Sequence, residues 1–263
     1  MRTVFPREKI LTYGPPGSGK SRAWLAIAAR FPSSTIWVLD TDDAARRMLA
    51  SRDLDSPAQG LTNVEVFDCR VWPDYTTSVE RIVRQSEPGD WLVVDFISSA
   101  WEAVQNHFAN EVFNQQLGDY FLEARKSMKA NAKRLDGLSG WTDWVVIKAM
   151  YQQFMRMIRY ELSEVHVYAT SPVKTWSGDE NKDIREIFQG FRGYPAGEKS
   201  LAHEFHTIAF LERSREGWLF STVKDRERPL LDREPLKDFG LQYVRKVADV
   251  KPQRKARPRS GDR

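Results

Sequence analysis

A single cysteine, Cys69, stands in the 263-residue chain, so no internal disulfide can staple it and the fold must rest on its apolar core. Long apolar runs are missing too: no stretch approaches the roughly 20 residues that a membrane-spanning helix needs. The opening MRTVFPREKI carries charge but no apolar segment of the kind a secretory signal has. These absences lead to one expectation, a soluble protein of a reducing cytoplasm with no membrane partner. Histidine is scarce, four in all, and the HEFH of His203 and His206 has the wrong spacing for the H-E-x-x-H zinc pattern. No internal repeat is found.

What is present suits one domain. The composition, 41% hydrophobic and 29% charged, is that of a globular protein, and the length allows a full α/β core to be buried. The net charge of +4 is uneven, because the closing KPQRKARPRSGDR is basic, proline-punctuated and free of large apolar side chains. Residues 1–240 are therefore expected to form the domain and 241–263 a disordered tail, which is either a solvated terminus or an electrostatic arm for nucleic acid. The tryptophans, among them Trp24, Trp37, Trp91, Trp101 and Trp141, are scattered, as core-packing residues are.

Along the chain, short apolar runs alternate with helix-periodic segments. KILTY, STIWVLD, NVEVFDC and GDWLVVDFI read as buried strands, and KSRAWLAIAARF, DDAARRMLA, PDYTTSVERIVRQ and SSAWEAVQNHF as the helices between them. The pattern breaks between Gly118 and Gly140. It resumes with a long amphipathic helix, DWVVIKAMYQQFMRMIRYEL, and a further strand in EVHVYATSPVK. Residues Thr175 to Ser200 show no period and are expected to be a functional or mobile loop. HTIAFLERS and GWLFSTVKDRE then read as an antiparallel hairpin at one edge of the sheet. The fold class that follows is α/β: a mostly parallel sheet with helices on both faces, with ligands at the carboxyl ends of the strands.

The stretch GPPGSGKS, Gly14 to Ser21, matches G-x-x-x-x-G-K-[ST], which arises by chance in roughly one chain of this size in a hundred. Its place between a strand and a helix makes chance a poorer account still. Gly14, Pro15, Pro16, Gly17, Ser18, Gly19, Lys20, Ser21 and the adjoining Arg22 are the expected nucleotide-binding segment. Glycines let the backbone N–H groups turn inward around a phosphate at the positive end of a helix dipole. Lys20 is expected to reach the β- and γ-phosphates, and the Ser21 hydroxyl to ligate Mg²⁺. Asp95, closing the apolar run WLVVD, is the expected acid on the metal side, with helix capping as its alternative role. Three carboxylates follow the second strand in VLDTDDAARR. Asp42 is the candidate for orienting the attacking water, while Asp40 at the strand end and Asp43 before the helix are open to capping roles.

An early P-loop, an acidic residue after the second strand, the VVD strand, the polar-ended VYATS and a late strand ending VKDR together resemble the RecA-type core ATPases. The likeness is closest to the compact RecA-like ATPases encoded by bacteriophages, of the single-strand annealing or recombination class, and runs from Lys9 to Arg228. The resemblance implies ATP and Mg²⁺ as cofactors, hydrolysis as the activity and single-stranded DNA as partner, in the host cytoplasm if the chain is phage-encoded. It assigns Asp42 to the place of the family's catalytic Glu, one methylene shorter, which implies slow hydrolysis. Thr170 and Ser171 fall where the family senses the γ-phosphate. Lys224 and Arg226 fall where it reaches the nucleotide of a neighbouring subunit, which implies a homo-oligomer; a solvated hairpin end is the alternative. No separate helical domain before the core and no large one after it is expected, and FLEA at Phe121 to Ala124 lies out of place for a polymerisation motif.

Two stretches are candidates for DNA contact. EARKSMKANAKRL sets Lys126, Lys129, Lys133 and Arg134 near one helix face, either a phosphate-binding stripe or a solvated surface. IFQGFRGYPAGEK interleaves Phe188, Phe191 and Tyr194 with Arg185, Arg192 and Lys199, as a base-stacking platform would, although Asp179, Glu180, Asp183, Glu186 and Glu198 offset its charge. Two other functions fit a P-loop: a nucleotide-regulated loader or scaffold of a replication complex that hydrolyses little, and a small-molecule kinase, for which DREPLKDF is a poor lid.

Overall fold

The computed structural model describes residues 7–51, 56, 58–131, 142–178, 180–215, 217–226, 228–236 and 244. In chain order the elements are β1 (Lys9–Gly14), α1 (Lys20–Arg30), β2 (Ile36–Asp40), α2 (Ala44–Leu49), β3 (Val64–Asp68), α3 (Trp72–Gln85), β4 (Trp91–Asp95) and α4 (Ile97–Phe113). They continue as α5 (Leu117–Asn131), α6 (Thr142–Arg156) with a π-helical turn over Met157–Glu161, β5 (His166–Thr175), α7 (Lys182–Ile187), β6 (Gly193–Pro195), α8 (Leu201–Glu204), β7 (Thr207–Ser214), β8 (Gly217–Asp225) and β9 (Glu234–Pro235).

Among the described residues the strand order is β3-β2-β4-β5-β1-β7-β8-β9. The first six run parallel, and β7-β8-β9 is antiparallel at one edge, as the sequence leads one to expect. The period of two sorts side chains to the two faces. Leu11 and Tyr13, Trp37 and Leu39, Leu92 and Val94, and Val167 and Ala169 pack on one face with α3, α4 and α6. Their alternates Ile10, Ile36, Val38, Trp91, Val93 and Tyr168 pack on the other with α1. In α3 the inward residues Trp72, Tyr75, Val79 and Ile82 recur at helical spacing. Pro73 sits in its first turn, and the Asp74 carboxylate accepts from the Val71 N–H at 2.9 Å, a start signal built from side chains.

The departures lie after α4. The stretch from Gly118, where helical period is hard to see, is helical to Asn131 in α5. The aperiodic segment from Thr175 contains α7 and β6, and α8 follows it; β6 pairs antiparallel with the outer end of β5, Val173 opposite Pro195. Of the tail expected at 241–263, Val244 is described, and it is buried in the core on the α1 face; the rest of that expectation, like Trp141, Lys133, Arg134 and Asp179, falls outside the described residues. No helix among the described residues is long and apolar enough to cross a membrane.

Candidate nucleotide site

Parallel pairing brings the carboxyl ends of the inner strands to one edge: Tyr13 is level with Ser171, Gly14 with Pro172, and Asp40 with Asp95. The chain leaves β1 at Gly14, where a Cβ would run into the Leu211 carbonyl oxygen, so only glycine fits. It enters α1 through Gly19, whose left-handed φ of 92° again favours glycine. No side chain caps that helix start, which leaves the N–H groups of its first turn to be met from outside the helix.

Lys20 is nearly buried. Its ammonium donates to the carbonyls of Gly14 at 2.9 Å and Pro15 at 3.0 Å, folding the side chain back over the loop. Burial pulls its pKa below the ordinary lysine value, and the charge of Asp95 opposes that. Asp95 is 2% exposed. Its Oδ2 accepts from the Trp24 indole at 3.1 Å, its Oδ1 from the Thr170 hydroxyl, and the Ser21 hydroxyl also donates to it. Burial drives its pKa upward, those three donors pull it down, and the charge of Asp42 raises it again. A carboxylate beside a Ser hydroxyl at a helix start is a hard-oxygen donor set of the kind Mg²⁺ takes with phosphates. Ser21 and Asp95 would hold that ion, and Gly14 to Ser21 the phosphates.

Asp42 is exposed, and its Oδ1 accepts from the Ala44 N–H at 3.2 Å. Asp40 is buried and accepts from the Ala45 N–H at 3.1 Å. The α2 start is therefore met by these two side chains. Asp43, which the sequence offers as a capping residue, sits at the cap position in a left-handed conformation without a side-chain bond. Ser171 does not face Asp95; its hydroxyl bonds the carbonyl of Ala196 at 2.8 Å, linking β5 to the segment that follows β6.

Several site residues were not singled out from the sequence. Thr12 donates to the Tyr168 hydroxyl at 2.8 Å, which donates to the Lys20 carbonyl at 2.9 Å, a chain that fixes the first turn of α1. Trp218 on β8 lies against the P-loop, its indole N–H donating to the Gly17 carbonyl at 3.1 Å. A threonine inside an apolar strand is the visible signal for Thr12; Trp218 gives none.

The remaining predicted residues lie elsewhere. Lys224 and Arg226 sit at the amino end of the sheet, since Lys224 is level with Ile208 at the start of β7. The Lys224 ammonium donates to the carbonyls of Ala202 and Phe205, both at 2.8 Å, and Arg226 is exposed. Neither can reach its own chain's P-loop. Phe188, Phe191 and Tyr194 do not form an open stacking platform. Phe188 packs edge-on against Tyr13, Phe191 against Phe210, and Tyr194 is 8% exposed; burial of their rings in the core outweighs solvent display. Of the basic helix, Lys126 is exposed on α5. Beside the outer end of β5 lies a cavity of about 690 Å³, whose wall includes Trp101, Trp144 and Tyr194, the lysines Lys148, Lys174 and Lys199, and the carboxylates Glu180 and Glu198.

The same fold occurs in the crystal structure of the RadB recombinase, with 13% of residues identical, a TM-score of 0.50, and 86% of this chain matched to 85% of that one. The match is one of fold. No family model matches the sequence, and no curated protein does.

Proposed function

We propose that the protein is a RecA-like ATPase that binds Mg²⁺·ATP at Gly14 to Ser21 and Asp95 and acts on single-stranded DNA in recombination, annealing or replication of a phage type. The observation that carries this is the uncapped start of α1 with Lys20, Ser21 and Asp95 gathered around it. The first-turn N–H groups of this helix are open to an anion, and a cation and a carboxylate stand beside them. Lys20 supplies the cation for the phosphates. Asp42 is the residue placed to orient water, close enough for its charge to act on Asp95. DNA contact is assigned to the aromatic cavity beside β5, where the lysines Lys148, Lys174 and Lys199 stand against the carboxylates Glu180 and Glu198. The Ser171–Ala196 bond joins the segment next to that cavity to the strand paired with β1.

Arg226, exposed at the far end of the sheet, is assigned to the nucleotide of a neighbouring subunit, which makes the active form an oligomer. Lys224, held by two carbonyls, is the weaker candidate of the pair. The test is steady-state ATP hydrolysis with and without single-stranded DNA at low and moderate salt, with Lys20→Ala as the blank. Turnover absent from Lys20→Ala, and stimulation by DNA that fades as salt rises, is the expected result. Wild-type turnover in Lys20→Ala would remove the P-loop assignment. Mixing Arg226→Ala with Lys20→Ala protein should regain part of the activity; no regain removes the action across subunits. A second reading, a nucleotide-switched loader, is favoured by one contact: Asp42 is engaged with the Ala44 N–H. Nucleotide binding without turnover would select it.

A further inference from the structure

The outer half of the sheet carries an acidic group that the nucleotide site does not use. Asp40 closes β2 and Asp68 closes β3, level with each other in register, and Asp43 begins α2. One carboxylate oxygen from each of Asp40, Asp43 and Asp68 lies within 4.8 Å of the others. Asp43 and Asp68 are exposed, so the group opens to solvent. Asp40 is 2% exposed. Its Oδ2 accepts from Ala45 and the Asp42 N–H also acts on the carboxyl, but the buried Oδ1 has no hydrogen bond of good geometry among the described residues. A buried carboxylate oxygen without a good hydrogen bond is rare and unfavourable unless a cation completes it.

We infer that Asp40, Asp43 and Asp68 form a binding site for a hard divalent cation of the Ca²⁺ class, separate from the Ser21–Asp95 pair. Oxygen ligands at about 2.3–2.6 Å from Ca²⁺ can stand up to about 5 Å apart, which this spacing meets; Mg²⁺, at about 2.0–2.1 Å, requires closer ligands. Two arginines already act on the group through Asp68, Arg46 in contact and Arg70 by its charge. The Arg46 guanidinium forks the Asp68 carboxylate, Nε to Oδ1 and NH2 to Oδ2 both at 3.0 Å. That pair is exposed on both sides, hence weakly held, and it leaves Asp40 untouched. A divalent ion drawing on three carboxylates displaces it. The bound ion ties the end of β2, the start of α2 and the end of β3 together, and so fixes the short Thr41–Asp43 connection. Binding is independent of the ATPase reading. Its consequence, holding Asp42 in place, rests on that reading.

The experiment is to titrate the nucleotide-free, full-length protein with Mn²⁺, count bound ion by electron paramagnetic resonance, and displace it with Ca²⁺. One Mn²⁺ per chain is expected, displaced by Ca²⁺ and equally bound by Asp95→Asn and Lys20→Ala proteins. Asp43→Asn and Asp68→Asn, both at exposed side chains, should each weaken it by about tenfold or more. Arg46→Ala should tighten it, because Asp68 is released; if Asp68 serves only as the partner of Arg46, that variant changes nothing. Absence of bound Mn²⁺, or binding that falls in Asp95→Asn but not in Asp68→Asn, overturns the site. Either of those results leaves the ATPase reading standing, and loss of turnover in Lys20→Ala leaves the cation site standing.

Discussion

Arg228, at the amino ends of the strands, and Asp95, at the carboxyl ends, are both charged groups packed into the protein, and they are satisfied in different ways. Arg228 donates to Asp225 at 2.7 Å, to Glu8 at 3.0 Å and to the Thr207 hydroxyl at 3.0 Å, charge meeting charge within the chain. Close by, the buried His166 accepts from the Glu8 N–H at 2.9 Å through Nδ1, and Lys224 is taken up by two carbonyls. At the other end the carboxylate of Asp95 meets hydroxyls and an indole, while Lys20, the cation nearest to hand, is turned to backbone carbonyls. The helix start beside it is uncapped, and Asp40 keeps an oxygen without a good hydrogen bond among the described residues. One end meets charge with charge within the chain and supports the fold, although the Trp91 indole N–H there has no hydrogen-bond partner among the described residues. The other is left open in charge and in hydrogen bonding, which is what a site for charged ligands requires.

If that division is right, substitutions at the two ends should separate activity from stability. The largest effect is expected at Asp95. Asp95→Asn keeps the shape and removes the charge, and should lower turnover by about 10²–10³-fold with little change in Tm; Thr170→Val, which removes one donor to the same carboxylate, should lower it by about 10–100-fold. Turnover in both proteins equal to wild type would break the comparison. At the closed end the expectation reverses. Arg228→Ala takes the cation from beside Glu8 and Asp225 and should destabilise by about 3 kcal/mol in denaturant unfolding, with turnover per folded molecule unchanged. A loss of turnover without loss of stability would show that the amino end belongs to the site.

Much of this was legible in the sequence because the inner strands are apolar throughout and the P-loop is a spacing, not an average. β1, β2, β4 and β5 and the helices α1 to α4 fall where hydrophobic period places them. Short elements were not legible: α7 has six residues and β6 three, too few for a period to show, and both are held by contacts with distant chain such as Val173 with Pro195. The interleaved rings of Phe188, Phe191 and Tyr194 carry the same pattern whether they face a ligand or Tyr13 and Phe210. Lys224 was legible as a strand-end cation, but which end of the sheet it occupies depends on the register of a hairpin. The poorly bonded oxygen of Asp40 was beyond reach, since three aspartates in four residues look alike until two of them have found N–H partners.

The smallest expected effect is at His166, and it bears on how closed the amino end is. Burial, helped by the charge of Arg7, lowers its pKa to about 4, against about 6.5 for a histidine in the unfolded chain. The unfolded state therefore binds a proton first as pH falls, so stability is fully present above about 6.5 and is lost on the way down to about 4. At pH 5.5 the loss from this group is about 1 kcal/mol, with His206, also lowered to about 4, adding in the same direction. Asp40 and Asp95, raised by burial, act in the opposite sense and gain stability on acidification. His166→Gln keeps an acceptor for the Glu8 N–H and does not titrate, so its unfolding free energy should fall less steeply than wild type between pH 6.5 and 5. Equal slopes would mean that His166 takes up its proton without unfolding, and that the amino end, too, has room for a charge.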